Sequence, residues 1–370
     1  MPKDKRLHFK DLDALRFLFF IPIFIYCFLK LLTFDREGIT YEIANALEFI
    51  AKNSIDFFFF LSAFLITSHI LREYKYRKEF SFKNFIVRRF LRVIFVLTVA
   101  LLFVFLIHPW LIVTLKLQPI ATPDGWSYVL LLPNYFYSVA VEQYVYLIVV
   151  WAIFMFIQFY FVWGLLMYFL WKRLKYICFL LMVIGVASRI VHLSMESVWE
   201  FDTLSYGVPI GIGALLALVI RREHWAVEKI KKLSKKVVNI GYVVGVILLI
   251  FSYYVAHNSV AAAFVPFLTC GFFAFMVLEQ TFGKNSIYKF RKNKLLSHLG
   301  KISYGMIVYQ AIMNVLVMTA ISSLDFDLRS DVVKIFFFVI SFALTWVMAD
   351  VSYNLIEKPL LIFRKEFKKI

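Results

Sequence analysis

Charge is scarce in this chain of 370 residues. Asp, Glu, Lys and Arg together reach only 18%, against about 25% in ordinary globular proteins. Cysteine is scarcer: Cys27, Cys178 and Cys270 are the three, and each sits inside an apolar run. That excludes a disulfide framework and a zinc-type spacing. The N-terminal stretch MPKDKRLHFKDLDALR is long and polar for a signal peptide, and no small-residue cleavage site follows the apolar run behind it. Period-2 alternation in ten-residue segments is missing, which argues against a transmembrane barrel. Internal repeats of the transporter kind are missing too, as are HExxH, GxSxG, a Walker loop and a zinc pair. What the chain has in excess is apolar surface: 62% hydrophobic residues, 19% aromatic residues and 43 Phe, with a mean hydropathy of +0.78. A water-soluble fold lacks the interior to hide so much. Disorder and collagen fall to the same numbers. The expectation is an all-α polytopic membrane helix bundle.

A spanning helix needs about 20 mainly apolar residues. Ten stretches qualify, near 15–34, 55–71, 93–113, 138–170, 176–194, 204–220, 237–256, 261–279, 302–321 and 332–354. The fourth, 138–170, is long enough for one tilted helix or two short spans. Charge arbitrates. With ten spans, the segments on one side hold 33 of the 41 Lys and Arg. The opposite loops instead carry acids: Asp35, Glu37, Glu42 and Glu48; Glu196, Glu200 and Asp202; Asp325, Asp327 and Asp331. This positive-inside bias puts both termini in the cytoplasm and makes 138–170 one span. The net charge of +17 is then mostly topology, and no nucleic-acid partner is expected. A basic inner surface favours anionic lipid headgroups and phosphorylated cofactors. The chain reads as one membrane domain over residues 1–370. It has a cytoplasmic segment at 1–14, a basic cytoplasmic tail at 355–370 and no appended soluble domain.

Polar side chains in or beside spans are costly and mark candidate functional positions. Four clusters stand out. Leu12-Asp13-Ala14-Leu15-Arg16 opens the first span. Ile55-Asp56 runs into FFFFLSAFLI (57–66), and the basic stretch after it closes with Arg88-Arg89-Phe90-Leu91-Arg92. Tyr137-Ser138-Val139-Ala140-Val141-Glu142-Gln143-Tyr144 opens the fourth span. Near the end come Leu299-Gly300-Lys301-Ile302-Ser303-Tyr304 and Tyr353-Asn354-Leu355-Ile356-Glu357-Lys358-Pro359.

In order and spacing these resemble acyltransferase family 3, over residues 12–359. That family's pattern runs L-D-x-L-R, D-x-F-F-x-L-S-G-F-L-I, R-x-x-R, W-S-L-x-V-E-x-Q-F-Y, L-G-x-x-S-Y and Y-x-x-I-E-x-P. The resemblance implies an O-acyltransferase of the cell envelope in a bacterial-type cytoplasmic (inner) membrane. It would move an acyl group, acetyl by expectation, from acyl-CoA to a hydroxyl of an extracytoplasmic glycan or lipid-linked sugar. Acyl-CoA is a co-substrate, and no bound cofactor or metal is implied. Asp13, Asp56, Ser62, Ser138, Ser303, Tyr304 and Glu357 are the motif positions that carry the fold.

The family's first span has Arg, ten residues, then His. Arg16 matches the Arg, but the eleventh residue on is Cys27. Eleven residues at about 100° each bring two positions onto one helix face, roughly 16 Å apart. A second His of the family is Gln310 here, after Tyr309. Ser-Gly-Phe reads Ser62-Ala63-Phe64, the Trp before Ser138 is Tyr137, and the expected Gln is Tyr144. The site residues implied are therefore Cys27 and Glu142 for catalysis, and Arg16, Arg89 and Arg92 for the donor.

Each candidate also has a plainer role. Arg16 suits an anchor at the headgroups, paired with Asp13. Arg89 and Arg92 share a helix face, and a guanidinium fork suits phosphate; positive-inside anchoring explains Arg72, Lys75, Arg77, Lys78 and Arg88 as well. A lone Cys in an apolar helix is a small hydrophobe, and a nucleophilic Cys must be a thiolate. Glu142 could contact the acceptor or lock against an Arg on another span. Ser62 beside Ala63 could only let helices approach, and Glu357, just before a Pro that ends the last helix, could pair with one of the inner arginines. The histidines lie at span ends or in loops; only His108 and His192 could reach an extracytoplasmic acceptor. Two other function classes stay open: a degenerate relative acting as an envelope-assembly partner, and a transporter or flippase.

Overall fold

The computed structural model describes residues 10–32, 39–115, 125–137, 148–195, 197–222, 224–256, 259–323 and 330–359. These residues are almost all helical, with no strand among them. Nine helical stretches among them are long and apolar enough to cross a membrane, which makes the chain an integral membrane protein. The longest, Trp151–Ser194, has 44 residues, roughly 66 Å of helix against a hydrocarbon core of about 30 Å. It is a hairpin of α7 (Ile148–Leu170) and α8 (Leu174–Ser194) around a 3₁₀ turn, Trp171–Arg173. The outer halves of both helices hold the same short segment, Gln158 through Thr203 and Ser188 through Asp202. Their shared turn stacks Trp171 on Tyr74 at the other end of the bundle. Ten crossing helices result among the described residues, and the described part of the fourth span is a single helix.

The other crossings are α1 (Lys10–Leu32), α2 (Ile39–Arg77), α3 (Phe82–Leu102), α9 (Gly207–Arg222), α11 (Lys235–Ala256), α12 (Val265–Phe282), α13 (Lys294–Ser323) and α14 (Asp331–Ser352). Helix α4 (His108–Leu115) continues α3, short helices α5 (Gly125–Val129) and α6 (Pro133–Tyr137) lie between α4 and α7, and α10 (His224–Lys232) links α9 to α11. At the centre, α1 packs between α2 and α13. On one flank α2 packs on α9, which packs on α8 and α12; α11 covers α12. On the other flank α13 packs on α14, α3 and α7.

Lipid gives helices no hydrophobic reason to associate, so packing and close approach must do it. Phenylalanine supplies the packing. Phe19 stacks on Phe57 with centroids 3.8 Å apart, and Phe59 sits between Phe156 at 4.4 Å and Tyr206 at 4.3 Å. Glycine supplies the approach. A Cβ on Gly300 of α13 would stand 1.7 Å from the Asp13 carbonyl oxygen of α1, and one on Gly213 of α9 would stand 2.2 Å from the Phe60 carbonyl oxygen of α2. The outward face of α11 (Ile240, Val243, Ile247, Ile250) is exposed and apolar, as lipid contact requires.

Several helices outrun the apolar runs. Helix α2 begins at Ile39 rather than near 55, because its polar outer residues satisfy one another along the helix. Asn53 donates to the Phe49 carbonyl, Ser54 to the Ile50 carbonyl, and Lys52 pairs with Glu48 at 2.9 Å. Helix α13 likewise begins at Lys294 rather than near 302. The third span is not one regular helix. It passes through a π turn, Phe103–Ile107, before α4. The last span does the same at Tyr353–Glu357, so the α-helix proper ends at Ser352, ahead of Pro359.

Candidate active site

The inner, basic end brings four helices and the last turn together. Helix α1 presents Asp13 and Arg16, whose Nη1 lies 2.6 Å from Asp13 Oδ1. Helix α3 presents Arg89 and Arg92, one turn apart. Arg89 lies 5.5 Å from the Phe85 ring and 5.6 Å from the Tyr160 ring of α7. Arg92 lies 6.0 Å from the Tyr304 ring of α13. It is close enough to feel the charges of Arg16 and of Glu357 in the final π turn. Arg88 turns the other way, to Glu73 at 3.2 Å.

Three guanidinium groups thus meet two carboxylates among tyrosine rings. Tyr304 Oη and Glu357 Oε1 are buried there with no hydrogen-bond partner among the described residues. Buried polar groups are almost always satisfied, by protein, water or ligand. A cationic cluster with unsatisfied hydrogen-bonding groups suits a phosphate-bearing molecule.

The motif residues acquire distinct physical roles. Ser303 donates to the Gly300 carbonyl at 2.9 Å, while Gly300 itself seats α13 against Asp13. Leu-Gly-x-x-Ser-Tyr is therefore a helix-contact device that ends by aiming Tyr304 at Arg92. Ser62 is half-buried beside the fully buried Ala63; the close approach of α2 and α9 is made by Gly213 on Phe60. Ser138 and Glu142 lie outside the described residues.

In mid-bundle Cys27 is a free, half-buried thiol. No charged side chain among the described residues acts on it. Pro22 stands inside α1 between it and Arg16. Between α13 and α14, Ser341 donates to Asn314. One turn toward the inner end on each helix stand Gln310 and Thr345, whose buried polar atoms have no partner among the described residues.

The outer end holds a second polar layer, of which the motifs announced only Asp56. Asp56 meets Arg189 of α8 at 2.8 Å, both almost fully buried. The Arg189 guanidinium lies 4.0 Å from the Trp199 ring and donates to the Ser205 carbonyl. Lys52 joins Glu48 to Glu200, at 2.9 and 2.5 Å. Asp202 accepts from Ser188, Tyr135 and the Leu204 N–H. The Tyr135 phenol is pushed up to about 12 by burial, assisted by the Asp202 charge and the hydrogen bond to it. Arg189 was the available signal in the sequence: a lone guanidinium in an apolar run needs a buried partner. Tyr160 and Lys52 gave no such signal. His298, at the inner end, pairs with Asp350 at 2.6 Å. Among the described residues no group of three or more His, Cys, Asp or Glu is arranged to hold a metal ion.

The chain is similar to the O-acetyltransferase OatA of Staphylococcus aureus, strains NCTC 8325 / PS 47, COL and MRSA252. Each is 27% identical over 332 residues, covering 85% of this chain and 53% of the relative. The chain therefore spans about half the length of these curated relatives. No solved structure matches it significantly. The acyltransferase domain model of family 3 matches residues 9–350, a range that takes in the outer polar layer, the inner one apart from Glu357, and all but the final motif, and the chain belongs to that family.

Proposed function

We propose that the protein is an integral-membrane O-acyltransferase. It takes an acyl group, acetyl in the simplest case, from acyl-CoA at the inner face. It delivers that group to a hydroxyl of an extracytoplasmic glycan or lipid-linked sugar. Family membership and the O-acetyltransferase relatives support the reaction class. The observation that carries the donor side is the convergence of Arg16 and Arg92 beside the Tyr304 hydroxyl and Glu357 Oε1, which have no hydrogen-bond partner among the described residues. In this reading Arg16, Arg89 and Arg92 hold the CoA phosphates, and Tyr160 and Tyr304 wall the mouth. Asp13 and Glu357 keep the guanidinium groups apart and oriented. Acyl-CoA enters as co-substrate, and no resident cofactor is invoked. The basic inner end would sit against anionic headgroups of a cytoplasmic membrane.

The test is acyl-CoA binding to the purified chain in lipid nanodiscs. Arg92→Ala and Arg16→Ala should each weaken binding about tenfold, or ~1.4 kcal/mol. Added salt should weaken the parent's binding as well. Unchanged binding in the double variant would return both residues to anchoring and sink the donor site.

A second reading has its own observation. Cys27 and Gln310 stand where the family resemblance implies histidines; the thiol has no charged partner and the amide no partner among the described residues. A relative that keeps the fold without transferring acyl groups would bind acyl-CoA and leave it intact.

A further inference from the structure

The last turn of α8 folds back on itself. Met195 N–H bonds to the Val191 carbonyl, and Ser197 N–H to the His192 carbonyl at 2.9 Å. That return lays Ser197 Oγ 2.7 Å from His192 Nδ1. Across the same ring, His192 Nε2 lies 3.3 Å from Asp202 Oδ2. A hydroxyl, an imidazole and a carboxylate therefore stand in line, within ten residues of sequence.

The carboxylate end is built firmly. Asp202 Oδ1 accepts from the Tyr135 hydroxyl at 3.1 Å and the Leu204 N–H at 2.9 Å, and Oδ2 accepts from the Ser188 hydroxyl at 2.5 Å. These donors fix the orientation of the carboxylate. A carboxylate beside Nε2 places the ring proton there, so Nδ1 offers its lone pair to Ser197. The ring nitrogens are used in the opposite sense to the familiar serine triad, but the order of roles is that of an activated nucleophile. Burial grades the same way: Asp202 is buried, His192 half-buried and Ser197 exposed. Ser197 Oγ also lies 3.4 Å from the His192 carbonyl, a longer and weaker alternative for its single proton. The cluster sits on the acidic, outer end of the bundle, one helical turn beyond Arg189.

We propose that Ser197 is an acyl-accepting nucleophile on the outer face, with His192 as its base and Asp202 as the positioning carboxylate. The substrate class is an activated acyl ester or thioester. Ser197 Oγ attacks the acyl carbonyl, and its proton passes to His192 Nδ1. The donor's C–O or C–S bond breaks, and the leaving alkoxide or thiolate takes that proton. An acceptor hydroxyl then attacks the seryl ester, gives its proton to His192, and Ser197 Oγ recovers it. The inference rests on the acyltransferase reading, since it supplies an outer-face holding point for the group in transit.

The test uses the full chain in nanodiscs with two probes, a fluorophosphonate and p-nitrophenyl acetate. Peptide mapping should place one phosphonyl or acetyl adduct on Ser197, lost in Ser197→Ala. His192→Gln should slow labelling about a hundredfold. In the parent, both probes should label Ser197 through the same His192-dependent route; a serine that merely closes a turn would be labelled no faster with the histidine than without it. No adduct on Ser197 in monodisperse protein overturns the proposal, as does labelling that proceeds equally fast in His192→Gln. Acyl-CoA binding is measured on the same sample. Binding without an adduct strikes only Ser197, and an adduct without binding strikes the donor reading.

Discussion

Cys27 stands on the same helix as Arg16, but Pro22 between them removes one backbone donor and bends the helix that simple face arithmetic treats as straight. A thiol acts as a nucleophile only as thiolate, which needs a cation, a histidine or a helix N-terminus nearby, and no charged group among the described residues acts on this one. Cys27→Ala should therefore keep acyl transfer within about twofold of the parent, far short of the effect expected from losing a catalytic nucleophile. The measurement is acyl-CoA-dependent O-acylation in sealed vesicles. A loss beyond tenfold, with an acyl-thioester trapped in the parent, would make Cys27 the relay. Asp56 shows how far single residues were legible. An acid opening a run of phenylalanines announces a buried charge, but its partner Arg189 is 133 residues away, and pairing across that distance leaves no trace in spacing. Glu357 was foreseen beside an inner arginine and is found near Arg92. Tyr160 was not foreseen, since one more aromatic among 43 Phe and 20 Tyr carries no signal.

Helices were legible where apolar length alone decides them, and less so where polar residues extend them or proline disturbs them. Both π turns have one cause. In each, five π residues and one cap precede a proline, Pro109 after His108 and Pro359 after Lys358, and the cap N–H bonds five residues back, to Phe103 and to Tyr353. A proline cannot donate to the carbonyl four residues before it, so the preceding turn widens. Hydrophobic periodicity contains no hint of that slip. Contacts between helices were partly visible as small residues, and here a clean comparison is available. Gly300→Ala sets a methyl against the Asp13 carbonyl with no flexible side chain to yield, whereas Gly271→Ala meets nothing within 4 Å. Thermal unfolding in detergent should show Gly300→Ala destabilised by at least ~2 kcal/mol. Gly271→Ala should be neutral or gain up to ~1 kcal/mol from helix propensity. Equal behaviour of the two would mean that α1 and α13 are not seated on Gly300.

At the scale of the whole molecule the chain is a bundle with two polar ends of different character. Guanidinium groups and tyrosines gather at one end, and acids with Lys52, Arg189 and His192 at the other. The cross-helix pairs respect that division. Arg88 meets Glu73, and His298 meets Asp350, at the basic end; Lys52 meets Glu200, and Arg189 meets Asp56, at the acidic end. A bundle threaded with a different number of crossings would bring basic loops to opposite ends and break this agreement. The charge bias of 33 in 41 predicts which end is cytoplasmic, because lysine and arginine near span ends are retained inside. Ser234 sits among Lys229, Lys231, Lys232, Lys235 and Lys236, and Ser323 closes α13. Three crossings, α11, α12 and α13, separate them, and an odd number must place them on opposite sides. Reporter fusions at the two serines should therefore read cytoplasmic at Ser234 and extracytoplasmic at Ser323. The same side for both would remove the ten-crossing topology, and with it the assignment of Arg16 and Arg92 to the donor's side of the membrane.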